Sequence, residues 1–566
     1  MTEFLLVFAL AIALGWPLGR YLAAVMRGAP MRGDRLFGLI ERPLYALLGV
    51  DPSRGMGWKG YAKAFLLSNL VLGVVVWVVL MTQAWLPLNP NDIPNMRWDL
   101  ALHTMVSFLT NTNQQHYSGQ AQLSYLAHAS AIVGLQVITP MMGLALVAAT
   151  LRGLFGGREK DAATNTNGDA DVGNYWADVI RPTVRFLLPL CLVWSLALTS
   201  QGVPATLDGG PVATPIDASA EMAEQKIALG PVSPMVAVKQ LGTNGGGWYG
   251  PNSAVPLENP TPFSNLLETL ALILIPVSIA FMVGSFTGRR KFTALVFGTM
   301  LTMSVVSAGA AVWSESLSGT STDIALMEGK EVRFGAAPSA LWAAFTTQTS
   351  NGSVNSMHDS LAPLTGLVPI SNMLVNSIWG GIGCGLQQFL VYLLLSVFLA
   401  GLMTGRTPEL FGRKIEAHEV KLLAALVLLQ PLALLGFTAI TLAVPSITGN
   451  SNPEFHGISQ VFYEYVSAFA NNGSGFEGLG DATYWWNLSA SLMLALGRYP
   501  ALIIPLAIAG SLARKRATPE GPGTLKVETP TFALTLIAVV VILTLLQFMP
   551  VLVLGPVADH LALSAL

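Results

Sequence analysis

Four short polar strings interrupt a strongly apolar chain, and their make-up suits one kind of chemistry. They are Ser107–Gln115 (SFLTNTNQQ), Leu241–Gly247 (LGTNGGG), Thr347–Gly352 (TQTSNG) and Ala468–Gly475 (AFANNGSG). Each sets Thr, Ser or Asn before an Asn, and in the last three Gly comes next. None contains Asp or Glu. A ring of carboxylates attracts divalent ions, whereas backbone carbonyls that replace a hydration shell suit a large monovalent cation. Glycine permits positive φ, which lets successive carbonyls point one way. The candidate donors are Thr112 and Asn113; Thr243, Asn244 and Gly245; Ser350, Asn351 and Gly352; and Asn471, Asn472 and Gly473. Gln114 and Gln115 stand where the other strings have Gly, which breaks the symmetry and puts a side-chain amide at the pore. Asn-Gly is also ordinary turn chemistry. What turns do not predict is the shared placement of all four strings between long apolar segments.

Composition sets the environment of these strings. Of 566 residues, 52% are hydrophobic and only 11% charged, against about 25% charged in soluble domains. The chain is therefore read as an integral membrane protein. Its net charge of −2 points to no partner class, and no nucleic-acid partner is expected. Spanning hydrocarbon takes about 20 apolar residues. Ten segments qualify, near 4–26, 61–82, 123–150, 183–200, 264–286, 291–312, 369–403, 419–444, 485–512 and 530–553. The first lacks a basic residue before it and a clear cleavage site after it, so it is kept as a span rather than a signal peptide. Lys and Arg alternate between successive loops. They crowd 27–60, 151–182, the turn near 290, the loop near 410 and 513–529, while 445–484 has none. The positive-inside rule makes the basic loops cytoplasmic. Both termini and all four strings then lie outside.

Each string follows an apolar stretch too short to span: Leu100–Leu109, Pro234–Leu241, Ala337–Phe345 and Ile458–Phe469. Pro234 and Pro338 suit a first helical turn, where a missing N–H costs nothing. The repeating unit is span, short re-entrant helix, polar loop, span. It occupies 61–150, 183–286, 291–403 and 419–512. Residues 1–60 (first span and cytoplasmic loop) and 530–566 (last span) flank the four units. The expected fold is an all-α membrane protein whose four pseudo-repeats surround one pore, since non-helical backbone at membrane depth must line a water path or be buried in protein.

A few residues stand apart. Arg498 lies inside the ninth span, where a charge is expensive and faces a cavity or a partner. It either limits cation flow below the strings or pairs structurally with a carbonyl or an outer-loop acid. The seventh segment is too long and is broken by Trp379-Gly-Gly-Ile-Gly-Cys-Gly, with Gly380, Gly381, Gly383 and Gly385. The two readings are an unwound helix lining a cavity and close packing through small residues. Asp359 and Glu477 follow the third and fourth strings, either attracting cations at the mouth or lying as solvated loop charges. His116, His358 and His456 show no metal-ligand spacing. Cys191 and Cys384 sit in apolar segments and match neither a disulfide nor a metal site. Residues 203–232 read as a connection and 165–171 as a flexible insertion. No Gly-x-x-x-x-Gly-Lys-Ser/Thr phosphate loop occurs. The longest cytoplasmic loops are about 30 residues, too short for a nucleotide domain of about 50 or more. No catalytic site and no bound cofactor are expected in the chain itself.

The strings at 111–115, 243–247, 349–352 and 471–475, in this order, resemble the four filter loops of the KdpA family, the potassium-transporting subunits of bacterial Kdp ATPases. The likeness covers essentially the whole chain. It implies the fold of the superfamily of potassium transporters and a subunit of a pump in the bacterial inner membrane. Such a subunit binds potassium from outside and passes it to a P-type ATPase subunit, KdpB, which uses ATP and Mg. A single-span KdpC, a small KdpF peptide and membrane lipid are the other implied partners. The resemblance also puts Gln115 and Arg498 near the pore, and makes the Gly-rich break a restriction that steers ions sideways into the partner. A Trk- or Ktr-like channel subunit, gated without hydrolysis, would share the four-repeat pore; the extra first and last spans and the longer outer loops argue against it. A solute symporter would need halves of opposite topology, whereas these repeats all run one way.

Overall fold

A computed structural model describes residues 2–156, 170–217, 222–317, 327–452, 454–519, 521 and 524–564. The insertion around Asn165, with Arg158 and Lys160, lies largely outside them. Ten described helices are long and apolar enough to cross a membrane: Thr2–Met26, Trp58–Trp85, Ala127–Phe155, Tyr175–Ser200, Pro262–Thr287, Arg290–Leu317, Cys384–Met403, Ala417–Ala443, Tyr484–Arg514 and Pro530–Leu563. The two strand pairs, Val212–Ala213 with Gln225–Lys226 and Glu409–Leu410 with Arg413–Lys414, have two residues on each side.

Four shorter helices precede the four strings: Trp98–Leu109, Val232–Leu241, Ala336–Gln348 and Glu454–Phe469. At about 1.5 Å per residue none reaches across a core of about 30 Å. Pro234 and Pro338 each take the third position of their helix, as the first-turn argument requires. The polar residues on these helices are almost all buried, which fits helices packed inside the protein rather than facing lipid.

Several boundaries differ from the sequence reading, the last span running on to Leu563 rather than ending near 553, and two of the differences bear on the repeats. The fourth span starts at Tyr175, not near 183, because Asn174 caps it: its side-chain oxygen accepts from the Ala177 N–H at 3.1 Å. The segment 369–403 is two helices, Pro363–Val375 and Cys384–Met403, and only the second is long enough to span. Asn376 ends the first in a left-handed conformation, φ 47°. Gly385 is already inside the second helix, so the break covers 376–383 rather than running through 385.

The spans at Ala127–Phe155 and Pro262–Thr287 are the most deeply buried. The first span rides on the second of these: a Cβ on Gly19 would stand 2.4 Å from the Ser278 carbonyl oxygen. On the basic side, Asp34–Leu48 forms a further helix tied down by Arg185, which donates to Asp34 and to both Glu41 oxygens at 2.5–2.7 Å.

Candidate functional site

The four strings share a backbone conformation, and that fixes their register. A left-handed residue comes first: Asn111 (φ 60°), Thr243 (50°), Ser350 (49°) and Asn471 (54°). Thr112, Asn244, Asn351 and Asn472 follow. A second left-handed residue comes third: Asn113 (59°), Gly245 (85°), Gly352 (93°) and Gly473 (104°). The residue standing in place of Gly in the first string is therefore Asn113, not Gln114 or Gln115. Asn is one of the few non-glycine residues that tolerates this conformation.

The N–H groups of the strings turn back into the short helices. The middle residue of each bonds to the carbonyl five residues earlier: Thr112 to Ser107 at 3.0 Å, and Asn244 to Lys239, Asn351 to Thr346 and Asn472 to Ser467 at 2.9 Å. The third residue follows it, Asn113 and Gly245 to the same carbonyls at 3.1 Å. Gly352 and Gly473 donate instead to the hydroxyls of Thr346 and Ser467 at 2.9 Å. With the donors spent on one side, the carbonyls are left for the other. None of the eight carbonyls of the middle and third residues accepts a hydrogen bond from a described residue. Unpaired carbonyls are costly away from water, so this arrangement is stable only when water or a cation completes it.

Close approach orders the strings around a ring. A Cβ on Gly245 would lie 1.9 Å from the Asn351 carbonyl oxygen, one on Gly352 2.1 Å from that of Asn472, and one on Gly473 2.2 Å from that of Thr112. Side-chain amides stitch the neighbours: Asn111 to the Thr243 carbonyl at 2.9 Å, Asn351 to Lys239 at 3.0 Å and Asn472 to Thr346 at 2.8 Å. Gln115 and Gly247 bond reciprocally, Gln115 Nε2 to the Gly247 carbonyl at 3.0 Å and the Gly247 N–H to Gln115 Oε1 at 2.8 Å. Gln115 thus reaches the mouth of the ring with its amide committed to the second string. A cavity of about 210 Å³ opens over the ring, with Gln115, Glu464, Glu477 and Asp481 in its wall.

Behind the second string sits a buried cation. Lys239 Nζ donates to Glu258, to Asn252 Oδ1 at 3.0 Å and to Ser253 Oγ at 2.8 Å. Glu258 in turn accepts from the Tyr249 N–H at 2.9 Å. Lys239 occupies the place of Ser107, Thr346 and Ser467 in the other quarters. The one sign of it in the sequence is a charge within an apolar stretch.

The glycine-rich break lies beneath the second and third strings. The Trp379 and Gly380 N–H groups bond to the Gln348 carbonyl at 3.2 and 2.7 Å, and the Ile382 N–H to Thr243 Oγ1 at 3.1 Å. Gly381 faces the underside of the strings: a Cβ added to it would meet Ser350 Cβ at 3.5 Å and Thr243 Oγ1 at 3.7 Å. Gly380 and Gly385 touch each other across the break, and Gly383 touches Gly143. The segment is unwound beneath the ring and packed through glycine. Arg498 is buried beside it, donating to Cys384 Sγ and to the Thr139 carbonyl. No described carboxylate pairs with it, which removes the outer-loop acid as its partner.

The outer acids and histidines are held by partners rather than left as free loop groups. Asp359 accepts from His456 at 2.8 Å, and His456 also meets Asp559 at 2.9 Å. The bond to Asp359 leads in raising His456 to about 9. Glu477 is half-buried in the cavity wall, and desolvation there raises it to about 8. His358 meets the Tyr463 hydroxyl at 2.9 Å. The buried His116 packs against Glu464 and Asp481, which line the cavity. These contacts join residues 97 to 365 positions apart, so no local spacing announces them. Cys191 and Cys384 are free and buried.

Four likenesses, to one family, two relatives and one solved structure, bear on this ring. The family described as potassium-transporting ATPase A subunit (KdpA) matches residues 5–561. The potassium-transporting ATPase potassium-binding subunit of Gloeobacter violaceus is 47% identical over 558 residues, covering 96% of this chain and 95% of that protein. The protein of the same description from Alicyclobacillus acidocaldarius is 43% identical over 572 residues, covering 100% and 99%. Among solved structures, the potassium transporter TrkH from Vibrio parahaemolyticus shares the fold, with a TM-score of 0.51 over 87% of this chain and 96% of that one, at 15% identity.

Proposed function

Because this chain belongs to the KdpA family of potassium-transporting ATPase A subunits, we propose that its four-string ring is where the potassium-binding subunit of such an ATPase selects its ion. It is a multi-pass membrane protein, and potassium is its cargo. The observation that carries the site is the set of eight carbonyls without donors, two from each quarter, whose N–H groups are turned the other way. Carbonyl dipoles held in this way replace the water of a large monovalent ion. Thr112, Asn113, Asn244, Gly245, Asn351, Gly352, Asn472 and Gly473 supply them. Thr243, Ser350 and Asn471, like Asn111, turn the chain into the ring.

The remainder of the reading follows from charge and position. The excess of Lys and Arg in alternate loops supports an orientation in the bacterial inner membrane with the strings and both termini outside. Potassium arrives through the cavity, passes the ring and meets the glycine-rich break and Arg498. Those two features hinder a straight descent and favour a sideways transfer to a P-type catalytic subunit of the KdpB kind, which spends ATP with Mg. Subunits of the KdpC and KdpF kinds complete the assembly. The four pore units and two flanking segments are each one arc or buttress of this path.

The test is potassium-stimulated ATP hydrolysis by the complex that co-purifies through a tag on this chain. Hydrolysis that rises with micromolar-scale potassium and is lost in Gly245→Asp is the expected result. A chain that purifies without hydrolysis, yet passes potassium in liposomes, refutes the pump reading in favour of a gated channel.

A further inference from the structure

Three groups meet beside the cavity: the buried His116, just after the first string, is more than 300 residues from Glu464 on the fourth short helix and Asp481 beyond the fourth string, the two carboxylates that line the cavity. Their ligand atoms all lie within 4.8 Å of one another. His116 Nε2 is 3.3 Å from Glu464 Oε1. Atoms bound to a tetrahedral zinc at about 2.0–2.1 Å stand about 3.3 Å apart, so this pair already has ligand spacing. Asp481 closes the set by a small side-chain shift.

The surrounding bonds decide which ring nitrogen faces the carboxylates. Asp99 accepts from Arg97 at 2.5 and 2.8 Å, and its carboxylate also accepts from Asn487 Nδ2 at 2.8 Å. A carboxylate only accepts, which fixes the Asn487 amide with Oδ1 toward His116. That oxygen is 2.7 Å from His116 Nδ1, so Nδ1 carries the hydrogen. Nε2 is then the ring nitrogen that faces Glu464 and Asp481: with no metal bound it donates to Glu464, and metal binding displaces that proton. On the other side, Gln114 donates to Glu464 and meets His103 at 3.4 Å. Such outer hydrogen bonds, fixing tautomer and orientation, are what metal-binding histidines and carboxylates usually have. An imidazole nitrogen has little use for potassium, a hard ion, but suits zinc and its neighbours.

We propose that His116, Glu464 and Asp481 form an extracytoplasmic site for a zinc-class divalent cation, with its open position toward the cavity, so that an occupied site hinders potassium on its way to the ring. The hindrance, though not the binding, rests on reading the cavity as the path of the ion. The bound metal also grips Glu464, which holds Gln114, the residue next to Asn113 of the first string.

Equilibrium dialysis of zinc alone against the purified ATPase complex, in saturating potassium, tests the binding. Wild type should retain one zinc per chain that His116→Gln and Asp481→Asn both lose, and Asn487→Ala should weaken it about 10- to 100-fold. Equal zinc binding by wild type and all three variants overturns the site. Cobalt(II) added to wild type needs no variant: a visible d–d spectrum from a nitrogen and oxygen ligand set is expected, and its absence likewise overturns the site. Potassium-stimulated hydrolysis, scaled to each protein's own zinc-free rate, should fall with zinc in wild type, recover on chelation and be less sensitive in the variants. Zinc that binds as described but leaves this activity unchanged overturns the hindrance and the reading of the cavity as the potassium path, while the metal site stands.

Discussion

Replacing Gly245 by alanine is the sharpest probe of the ring. The added carbon would stand 1.9 Å from the Asn351 carbonyl oxygen, 2.6 Å from its carbon and 2.7 Å from the Ser353 nitrogen. All three are backbone atoms of the neighbouring string, so no flexible side chain can yield. Restoring ordinary contact means moving that carbonyl by about 1–1.5 Å, several times the displacement that forfeits a good part of a contact's attraction. The φ of 85° adds about 1–3 kcal/mol of backbone strain for any side chain. An interaction with a charged group is worth about 1.5–3 kcal/mol net. Losing one carbonyl from the ion should therefore weaken potassium about 10- to 100-fold and narrow its margin over sodium and rubidium. Half-activating concentrations for ATP hydrolysis by the purified complex give both quantities. Gly436→Ala, a helical position with nothing within 4 Å of the new carbon, should leave them as in wild type. A Gly245→Ala complex that assembles and keeps wild-type affinity and selectivity would refute the packed carbonyl ring.

Lys239→Met should strand the buried Glu258 and cost about 3–5 kcal/mol, read as lower thermal stability of the complex, with Glu258→Gln added to it recovering part of the loss; unchanged stability would contradict the buried pair. Arg498→Ala should change the maximal transport rate about tenfold while the half-activating potassium stays within about twofold, as expected of a charge below the binding ring; if neither moves, Arg498 is structural. Glu477, raised by burial from 4.5 to about 8, is protonated at neutral pH. Raising the pH through about 8 adds a negative charge at the cavity wall and should tighten apparent potassium binding about 2- to 5-fold, an effect that Glu477→Gln abolishes. The folded state keeps a proton that the unfolded chain has already released between about pH 4.5 and 8, so stability falls as pH climbs through that window and the variant should not show this part of the fall.

The architecture is legible in the sequence because hydrocarbon imposes length and apolarity on each span, and because a repeated string betrays a repeated unit. The third ring residue is legible in three quarters, since its left-handed conformation is met by Gly245, Gly352 and Gly473, and the middle residue is the Asn before each. The register of the first string is harder. Asn and Gly both satisfy the turn, so three consecutive candidates compete until the φ values separate Asn113 from Gln114. The settings of His116, Lys239 and Glu477 are not legible at all. Each depends on what another segment brings to it: Asn487 for His116, Glu258 for Lys239 and the Asp359 N–H for Glu477. A charge on a loop reads as solvated until the fold puts a lid on it.

In a ring built from four identical chains, one codon change alters all four quarters at once. Here the quarters are encoded separately, and Asn113 opposite three glycines, Lys239 opposite three hydroxyl residues and a break in one quarter alone are the visible result. Single substitutions can thus grade the ring in quarter steps, and one side can be specialised for handing the ion onward while the others keep holding it. The loss of identical copies is what allows a channel-like ring to acquire a direction in the plane of the membrane.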